Sequence, residues 1–253
     1  MGKNKLKKFA EMATYPHVVQ APFDEVFQNN HALYGKWKEQ FFSNNNPVVL
    51  ELGCGKGEYT VGLARMFPEK NFIGVDIKGN RMHRGATDAL NEGLKNAGFL
   101  RTRIEAIHAF FASSEVDEIW LTFPDPQIKK FRKRLTSTRF LAAYGRFLKP
   151  GGIIHLKTDS LFMYTYTREL LKVNGIDPLV DEDDLYSDGY QDEILGIQTY
   201  YEKKWLEHGI PIKYLKFELH NSGNLVEPEV EIEPDEYRSA GRGVKPRRTE
   251  NNH

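Results

Sequence analysis

Residues 48–57 constrain the fold of this chain more than any other stretch. They read VVLELGCGKG, an apolar segment predicted to be a strand and then glycines at positions 53, 55 and 57. Because glycine lacks a Cβ atom, this turn can adopt positive φ angles and let a ligand approach its backbone closely. Residues 58–67 are predicted to form a helix whose first N–H groups point toward such a ligand. This order predicts the first strand of a doubly wound α/β sheet that binds a nucleotide-like cofactor.

The glycine spacing and the acidic residue before it indicate the class of cofactor. Dinucleotide-binding turns typically read G-x-G-x-x-G and place a pyrophosphate at the helix N-terminus. This turn reads G-x-G-x-G, and Glu51 stands two positions before Gly53. A carboxylate at the strand tip repels a pyrophosphate and attracts a cationic amine or sulfonium. With Gly53 and Gly55, the stretch resembles the first motif of class I S-adenosylmethionine (AdoMet) methyltransferases.

Asp76 ends a second apolar segment, residues 71–76. It falls where the second strand of a nucleotide-binding fold places a carboxylate on the two ribose hydroxyls. A two-oxygen acceptor suits two hydroxyl donors. The alternative is that Asp76 caps the helix that follows. With the glycine turn in place, the ribose interpretation is favoured.

The length of 253 residues and the composition suit one sizeable α/β domain with extensions. No stretch is apolar enough to span a bilayer, and the N-terminus lacks the apolar segment of a signal peptide. We therefore expect a cytoplasmic protein that does not bind membranes. The single cysteine, Cys54, fits a reducing compartment. Since no His/Asp relay is recognisable around it, we interpret Cys54 as a small space-filling residue.

Charge is segregated along the chain although 35 basic and 35 acidic residues cancel. Residues 1–8 form a basic arm, and residues 129–134 form a second basic run with Arg139 just beyond. Acids gather at 181–184 and 227–236. Such segregation can create a locally positive surface on a neutral protein.

Strands and helices alternate from about residue 48 to 175, which predicts parallel pairing with right-handed crossovers. The predicted strands are 48–52, 71–76, 101–106, 118–122 and 153–158, and the predicted helices are 58–67, 78–96, 137–147 and 160–174. A loop-rich acidic stretch, a helix at 199–208 and a strand at 212–219 follow. The Lys-Pro-Gly-Gly turn at 149–152 also resembles the stretch that precedes the fifth strand in class I methyltransferases.

The whole pattern predicts a Rossmann-like class I methyltransferase fold, with a doubly wound, mostly parallel seven-stranded sheet and an antiparallel last strand. We expect residues 1–47 to be a basic arm with a lead-in helix and residues 48–220 to be the AdoMet-dependent domain. Residues 221–253 hold few large apolar side chains, so we expect a disordered tail.

Asp125 follows the fourth predicted strand in the sequence Phe-Pro-Asp-Pro, residues 123–126. Ligands of doubly wound sheets lie outside the carboxyl ends of the strands near the topological switch point, so Asp125 is expected to face the reactive end of the cofactor. The flanking prolines restrict its backbone. The alternative is a plain turn residue. A carboxylate beside the basic run at 129–134 suggests a substrate with a neutral reacting group and an anionic backbone, which describes a nucleic acid.

Three motifs in order make the resemblance specific. They are Phe-Pro-Asp-Pro at 123–126, His-Leu-Lys-Thr-Asp at 155–159 and Thr-Tyr-Tyr-Glu at 199–202. The chain resembles the bacterial tRNA (guanine-N7-)-methyltransferase family over about residues 48–220. This resemblance implies methyl transfer from AdoMet to N7 of the variable-loop guanine (position 46) of tRNA, with S-adenosyl-L-homocysteine as product. It implies tRNA as partner, no metal and no obligatory protein partner.

The resemblance also implies roles for particular residues. Asp125 corresponds to the acid at the catalytic centre, where it also meets the cofactor. The other implied cofactor contacts are Glu51, Gly53, Gly55, Asp76 and His108. The implied substrate contacts are Lys129, Asp159, Thr199 and Glu202, with Arg132 and Arg134 as candidate phosphate contacts from the basic run.

This sequence departs from the family pattern at three points. Gln127 stands where family members often have Trp, the basic run is shorter and lacks a histidine, and His108-Ala109 replaces the usual Asp-Ala after strand three. His108 can still hydrogen-bond or stack on adenine. Asp125 can stabilise positive charge on the purine, or it can select guanine by accepting hydrogen bonds from the N–H groups of the base. The sequence leaves both roles open.

Two other functions remain open at this point. One is an AdoMet-dependent methyltransferase that acts on another RNA base, a protein or a small molecule, since a proline-flanked acid also resembles the motif of amino-methylating enzymes. The other is a non-catalytic AdoMet-fold protein that binds RNA. The departures at Gln127 and His108 favour the second alternative slightly, whereas the acids Glu51, Asp76 and Asp125 argue against it.

Overall fold

One eight-stranded sheet organises the protein. The computed structural model describes residues 3–21, 26, 29–187, 193–220 and 223–235. The strands are β1 (Val18–Gln20), β2 (Val48–Leu52), β3 (Asn71–Val75), β4 (Ala97–Arg101), β5 (Val116–Thr122), β6 (Leu148–Thr158), β7 (Pro178–Glu182) and β8 (Lys213–Leu219). Their order is β1-β4-β3-β2-β5-β6-β8-β7. All pairs from β1 to β6 are parallel, and β8 is antiparallel to β6 and β7.

Helices cover both faces of the sheet. They are α1 (Lys3–Met12), α2 (Glu58–Met66), α3 (Gly79–Asn91), α4 (Thr138–Tyr144), α5 (Leu161–Val173) and α6 (Tyr200–Glu207). Short turns of π-helix at Trp37–Phe41 and of 3₁₀-helix at Ile104–Ala109 and Phe131–Lys133 complete the described elements. No helix within the described ranges is long and apolar enough to cross a membrane.

The core lies in two layers because successive side chains of a strand point to opposite faces. Leu50 belongs to the apolar cluster that includes Leu170 of α5. The preceding residue, Val49, belongs to the cluster on the other face, with Val61 of α2. All five residues of β2 are buried, as is typical of a central parallel strand. Each such apolar side chain contributes about 1.5–3 kcal/mol through burial.

The predicted fold class is confirmed, although the sheet has eight strands and not seven. Two of the eight are not among the six strands that the sequence pattern placed. The first, β1, has only three residues and pairs with β4 at the edge of the sheet. The second, β7, lies in the acidic stretch that was expected to be a loop. It is an edge strand with several exposed positions, so it lacks the apolar run that marks a buried strand.

The predicted strand at 101–106 is wrong, because β4 ends at Arg101 and residues 104–109 form the 3₁₀ turn. The start of β4, Ala97-Gly98, has low β propensity and did not look like a strand. Gly98 is needed there because a Cβ atom would lie 2.5 Å from the Phe41 ring. The Lys-Pro-Gly-Gly stretch also differs, since it lies inside β6 next to an irregularity in the pairing with β5.

The expected disordered tail is corrected for residues 223–235. This segment has no helix or strand, but Leu225 and Ile232 pack against the core. Asp235 is buried. The rest of the predicted tail, residues 236–253, lies outside the described residues, as do Met1 and Gly2 of the basic arm. The remainder of the arm begins helix α1.

Gly85 provides a test of how tightly α3 packs against the glycine turn. A Cβ atom on Gly85 would lie 2.6 Å from the carbonyl oxygen of Lys56 and 2.9 Å from Cα of Gly57. We expect Gly85→Ala to lower the free energy of unfolding by about 1–3 kcal/mol, because backbone atoms must move. Helix propensity alone predicts the opposite, a gain of about 1 kcal/mol.

Urea denaturation of wild type and Gly85→Ala measures this difference. The matched control is Gly93→Ala, which has a φ of +66° and no atom within 4 Å of the added Cβ. Its expected loss is only the left-handed backbone penalty of about 1–2 kcal/mol. A Gly85→Ala variant as stable as wild type would contradict the close packing.

Candidate functional site

The glycine turn after β2 adopts the backbone that the sequence predicts. Gly53, Gly55 and Gly57 have φ angles of +86°, +55° and +75°. The N–H groups of Gly53 and Cys54 donate to the carbonyl oxygen of Val75 at 2.8 and 3.0 Å, so the turn is tied to the end of β3. Nothing lies within 4 Å of where a Cβ atom of Gly53 would stand. The turn therefore leaves an open cradle against its backbone.

Asp76 closes one side of this cradle. Its Oδ2 accepts a hydrogen bond from the N–H of Gly55 at 3.0 Å, and its Oδ1 accepts one from the N–H of Lys78 at 2.7 Å. The N-cap of α3 is Lys78, so the alternative that Asp76 caps this helix is wrong, although Asp76 holds the backbone of the N-cap residue. Each carboxylate oxygen still has a second lone pair for a ligand hydroxyl.

Glu51 lies beneath the turn and is only 4% exposed. Its Oε2 accepts hydrogen bonds from the N–H and the Oγ1 of Thr60, at 2.9 and 2.5 Å, and its Oε1 accepts one from Oγ1 of Thr122 at 2.6 Å. Burial raises the pKa of Glu51 from 4.5 to about 7, against the lowering effect of these bonds. The side chain therefore links the tip of β2 to helix α2 and to the end of β5.

Cys54 is buried within the turn. Burial, with Glu51 and Asp76 nearby, raises the pKa of its thiol well above the usual range. A protonated thiol is a poor nucleophile, so this environment favours the space-filling role.

Asp125 is exposed at the end of β5, the strand next to β2 in the sheet. Its Oδ1 accepts a hydrogen bond from the N–H of Gln127 at 3.0 Å. Phe123 and Gln127 have φ angles of +51° and +48°, although neither is glycine. Such conformations cost about 1–3 kcal/mol each and cluster at functional sites. The loop thus presents Asp125 from a backbone that is held under strain.

The basic loop, residues 128–134, follows Asp125 directly. Lys129 and Arg132 are exposed, as are Lys130 and Lys133. These four cations have no ion pair with any acid in the part of the chain that the structure describes. Lys129 and Arg132 are therefore available to a polyanion beside Asp125.

Arg134 is not part of this exposed surface, which corrects its predicted role as a phosphate contact. It is only 8% exposed. Its guanidinium lies over the rings of Tyr166 and Phe162, at 4.3 and 4.7 Å from their centroids. Its Nη2 donates to the carbonyl oxygen of Ile128 at 3.0 Å. Arg134 therefore fastens the base of the basic loop to helix α5.

Thr199 and Glu202 form a capping box at the start of α6. Both are buried, and Glu202 is fully buried beside Lys157, with 2.6 Å between Nζ and the carboxylate. The hydroxyl of Tyr186 also donates to Glu202, at 2.5 Å. In this arrangement Thr199 and Glu202 hold the fold of the site and do not reach the surface that carries Lys129.

Asp159 directly follows β6 and is also fully buried. The structure thus places the predicted substrate contacts in two groups. Lys129 and Arg132 are exposed on the rim, whereas the other four, Arg134, Asp159, Thr199 and Glu202, are buried.

His108 does not lie at the cradle. Its side chain is exposed on the 3₁₀ turn. The pKa of His108 is lowered by partial desolvation and then by the positive charge of Arg146, which lies just before the amino end of β6. The prediction was made on a misplaced strand. Because β4 ends at Arg101, the residue that follows it is Thr102, 2% exposed, whose Oγ1 has no hydrogen-bond partner among the described residues.

Sequence reasoning missed Thr60, Thr102, Thr122 and Lys157. Threonines at strand ends and in a helix give no distinctive signal. Lys157 could have been noticed, because a lysine within the buried segment Ile-Ile-His-Leu-Lys needs a partner. Its Nζ lies against Glu202 and donates to the carbonyl oxygen of Leu195 at 2.7 Å.

Sequence comparisons match most of this chain to known proteins. A family model described as "Putative methyltransferase" matches residues 45–215. A tRNA (guanine-N(7)-)-methyltransferase of Bacteroides thetaiotaomicron is 59% identical over 245 residues, 97% of each chain. One of Porphyromonas gingivalis is 57% identical and covers 91% of this chain and 96% of its own. One of Clostridium novyi is 34% identical, with 79% and 93% covered.

Solved structures of low identity share the fold. The 16S rRNA methyltransferase KamB superposes with a TM-score of 0.58 at 17% identity, over 74% of this chain and 95% of that one. A structure described as an antibiotic related methyltransferase has a TM-score of 0.55 at 15% identity, over 82% and 98%. At such identity the likeness concerns the fold alone.

The raised pKa of Glu51 predicts a pH dependence of stability. The carboxyl loses its proton near pH 4.5 in the unfolded chain and near pH 7 in the folded protein. Between these values the folded protein binds more protons, so this group makes the free energy of unfolding fall as pH rises, by on the order of 3 kcal/mol. Glu51→Gln removes the ionisation and keeps an acceptor for Thr60. We therefore expect the variant to lack this fall.

Urea denaturation of wild type and Glu51→Gln from pH 5 to pH 8 isolates the contribution, because other titrating groups are common to both proteins. The expected result is a variant that gains stability relative to wild type as pH rises. Parallel profiles would show that the carboxyl does not titrate differently in the folded state.

Two arginines of the basic loop are predicted to behave differently. Arg134→Ala removes a buried stack and a hydrogen bond, so we expect a loss of about 1–3 kcal/mol in the free energy of unfolding. Arg132→Ala alters an exposed side chain and should stay within about 0.5 kcal/mol. Urea denaturation of both variants decides the assignment. Equal losses would contradict the structural role given to Arg134.

Proposed function

The chain belongs to the tRNA (guanine-N(7)-)-methyltransferase family, and we propose that it transfers a methyl group from AdoMet to N7 of guanine 46 in the variable loop of tRNA. The product of the donor is S-adenosyl-L-homocysteine. The structural observation that carries the proposal is a juxtaposition. The glycine cradle follows β2 and Asp125 follows β5, and these two strands are hydrogen-bonded neighbours, so cradle and carboxylate open at the same edge of the sheet.

The residues of the cradle fit AdoMet. Gly53 leaves open space against the backbone, and Asp76 offers free lone pairs to ribose hydroxyls. Thr102 directly follows β4, the strand that pairs with β3, and its hydroxyl has no hydrogen-bond partner among the described residues. AdoMet, when bound, supplies a methyl group on a sulfonium centre. Glu51 supports this site from below, because its oxygens already accept bonds from Thr60 and Thr122.

The acceptor requires little acid–base chemistry from the protein. Guanine N7 carries an in-plane lone pair and no proton, so no general base is needed. Alignment of reactants can then supply most of the acceleration, with effective molarities on the order of 10⁵–10⁸ M. The task of the chain is to hold the guanine in line with the methyl group.

Asp125 is placed for a role in this alignment. The bond from the N–H of Gln127 to Oδ1 holds the carboxylate at the strand end and leaves Oδ2 free of described partners. A fixed carboxylate there can stabilise positive charge that moves onto the purine. It can equally accept hydrogen bonds from the guanine N1–H and amino groups. Both roles select against a substrate without those features.

The basic loop suits the phosphate backbone of tRNA. Lys129 and Arg132 are exposed directly after Asp125. Phosphate contacts fix the register of an RNA on a protein, whereas the base in the pocket gives specificity. tRNA is therefore the proposed partner, and the cytoplasm, where tRNA is found, is the proposed location.

Replacement of Asp125 tests its role. We expect Asp125→Asn to lower kcat/KM for tRNA by about 10²-fold, because the charge near the purine is lost. The affinity for AdoMet, measured by calorimetry, should change by less than about threefold, since the cradle residues are unchanged. Glu69→Gln, an exposed acid before β3, is the control. Full activity of Asp125→Asn would rule out both proposed roles.

Salt dependence tests the phosphate contacts. We expect the logarithm of the tRNA association constant to fall steeply with the logarithm of salt concentration. Lys129→Ala and Arg132→Ala should each reduce the magnitude of this slope by about 1, since one phosphate contact is lost. Filter binding at several salt concentrations gives the slopes. An affinity indifferent to salt would contradict phosphate recognition by this surface.

The reaction itself is tested with radiolabelled AdoMet and two tRNA transcripts. One transcript is unmodified, and the other carries 7-deazaguanine at position 46, which lacks the N7 lone pair. The expected result is label on the first transcript alone. Equal labelling of both would move the acceptor to another atom, and no labelling with AdoMet still bound would contradict the proposed substrate.

A further inference from the structure

A segment near the C-terminus runs along helix α5, behind the basic loop. We name residues 226–235 the C-terminal strap. At one end, Asn174, the C-cap of α5, exchanges two hydrogen bonds with the backbone of Val226, at 2.7 and 2.8 Å. At the other end, Asp235 accepts hydrogen bonds from the N–H of Phe162, at 3.0 Å, and from Oγ of Ser160. Because α5 begins just after β6, the strap ends at the carboxyl edge of the sheet, where the site lies.

Glu227 fastens the strap to two helices. Its Oε1 accepts hydrogen bonds from the N–H and Oγ1 of Thr138 at the start of α4, at 3.0 and 2.6 Å. Its Oε2 accepts one from the hydroxyl of Tyr166 on α5 at 2.6 Å. Three donors on one carboxylate make a stronger anchor than a single neutral hydrogen bond.

The anchor continues into the basic loop. The ring of Tyr166 lies under the guanidinium of Arg134, and Arg134 donates to the carbonyl oxygen of Ile128. Ile128 stands between Asp125 and Lys129 in the chain. A groove of about 410 Å³ lies between strap and loop. Its apolar lining from the strap is Pro228, Val230 and Ile232.

The outward face of the strap is acidic. Glu229, Glu231 and Glu233 alternate with the apolar residues of the groove, and all three are exposed. Like charges repel, so this face does not suit an RNA phosphate backbone. The strap therefore acts on RNA binding from behind the basic loop and not as an RNA contact of its own.

We propose that Glu227 is a positioning residue for tRNA. By holding Tyr166 it seats Arg134, and Arg134 fixes the part of the chain that presents Lys129 and Arg132 beside Asp125. The inference rests on the proposed function, since it assigns this arrangement to tRNA binding. It adds a contribution from outside residues 45–215, the range of the matched methyltransferase model.

Tyr166→Phe is the sharpest test, because it removes only the hydroxyl that donates to Glu227 and keeps the ring under Arg134. We expect the tRNA dissociation constant to rise by about three- to tenfold at moderate salt, and the slope of affinity against salt to weaken by about 1. The affinity for AdoMet should stay within about twofold, because neither Tyr166 nor Glu227 belongs to the cradle. Glu227→Ala should have the same effects if it folds.

Asn174→Ala is the matched control. It also removes two hydrogen bonds to the strap, but it leaves all three hydrogen bonds of Glu227 in place. A merely structural role of the strap predicts equal changes in the two variants, in both tRNA affinity and melting temperature. The proposal predicts that Asn174→Ala keeps the wild-type tRNA affinity and salt slope.

A filter-binding assay measures the tRNA affinity and salt slope of each variant directly, without methyl transfer. The proposal would be overturned if Tyr166→Phe kept the wild-type tRNA affinity and salt slope. It would also be overturned if Tyr166→Phe and Asn174→Ala lost tRNA affinity to the same extent. Wild-type protein that binds tRNA without methylating it would refute the proposed function, while the comparison of variants would still decide the role of Glu227. Wild-type protein that does not bind tRNA would overturn both.

Discussion

The buried carboxylate of Glu51 is the interaction on which the site depends. It is one residue from the end of β2, and its three hydrogen bonds reach Thr60 in α2 and Thr122 at the end of β5. The first bonds fix the helix that follows the glycine turn, and the last fixes the strand that leads to Asp125. One side chain thus sets the cofactor cradle and the acceptor side in a single arrangement. Burial raises the pKa of Glu51 more than these hydrogen bonds lower it, so the charged form is disfavoured in the folded protein.

Buried charges lie at two places among the predicted substrate contacts. Lys157 and Glu202 form a fully buried ion pair, and Arg134 is buried against the rings of Tyr166 and Phe162. Removing one partner of a buried pair typically costs about 3–5 kcal/mol, because the other charge is left uncompensated. Such pairs contribute little net stability but restrict the geometry that the chain can adopt. Arg134 in turn holds the loop that carries the exposed cations, Lys129 among them.

The sequence predicted the site best where local backbone demands identify a residue. Gly53, Gly55 and Asp76 take the turn and strand-end positions that the sequence predicts, because a positive φ and a strand-end carboxylate are local features. The assignment of His108 as a cofactor contact rested on a strand placed at 101–106, because the low β propensity of Ala97-Gly98 gave no sign that β4 begins there. Glycine there serves the close approach of Phe41, a contact with a residue more than fifty positions away that no local pattern shows.

The buried charges could not be predicted for a related reason. The burial of Arg134 depends on Tyr166 and Phe162. Likewise the burial of Glu202 in helix α6 depends on Lys157 of strand β6. The scarcity of large apolar side chains in residues 221–253 predicts a disordered tail, yet Glu227 and Asp235 of the strap each find N–H donors at the start of a helix. Long-range partners decided these cases, and sequence composition does not reveal them.

A double-mutant cycle with Thr60→Val and Thr122→Val tests the central claim most directly. The free energy of unfolding is measured by urea denaturation at pH 8 for wild type, both single variants and the double variant. Both hydroxyls stabilise the same carboxylate, and Glu51 can take up a proton when these hydrogen bonds are lost. We therefore predict that the loss of stability in the double variant is smaller than the sum of the two single losses by at least about 0.5 kcal/mol. Strictly additive losses would show that Glu51 does not couple α2 to β5, and would contradict the account.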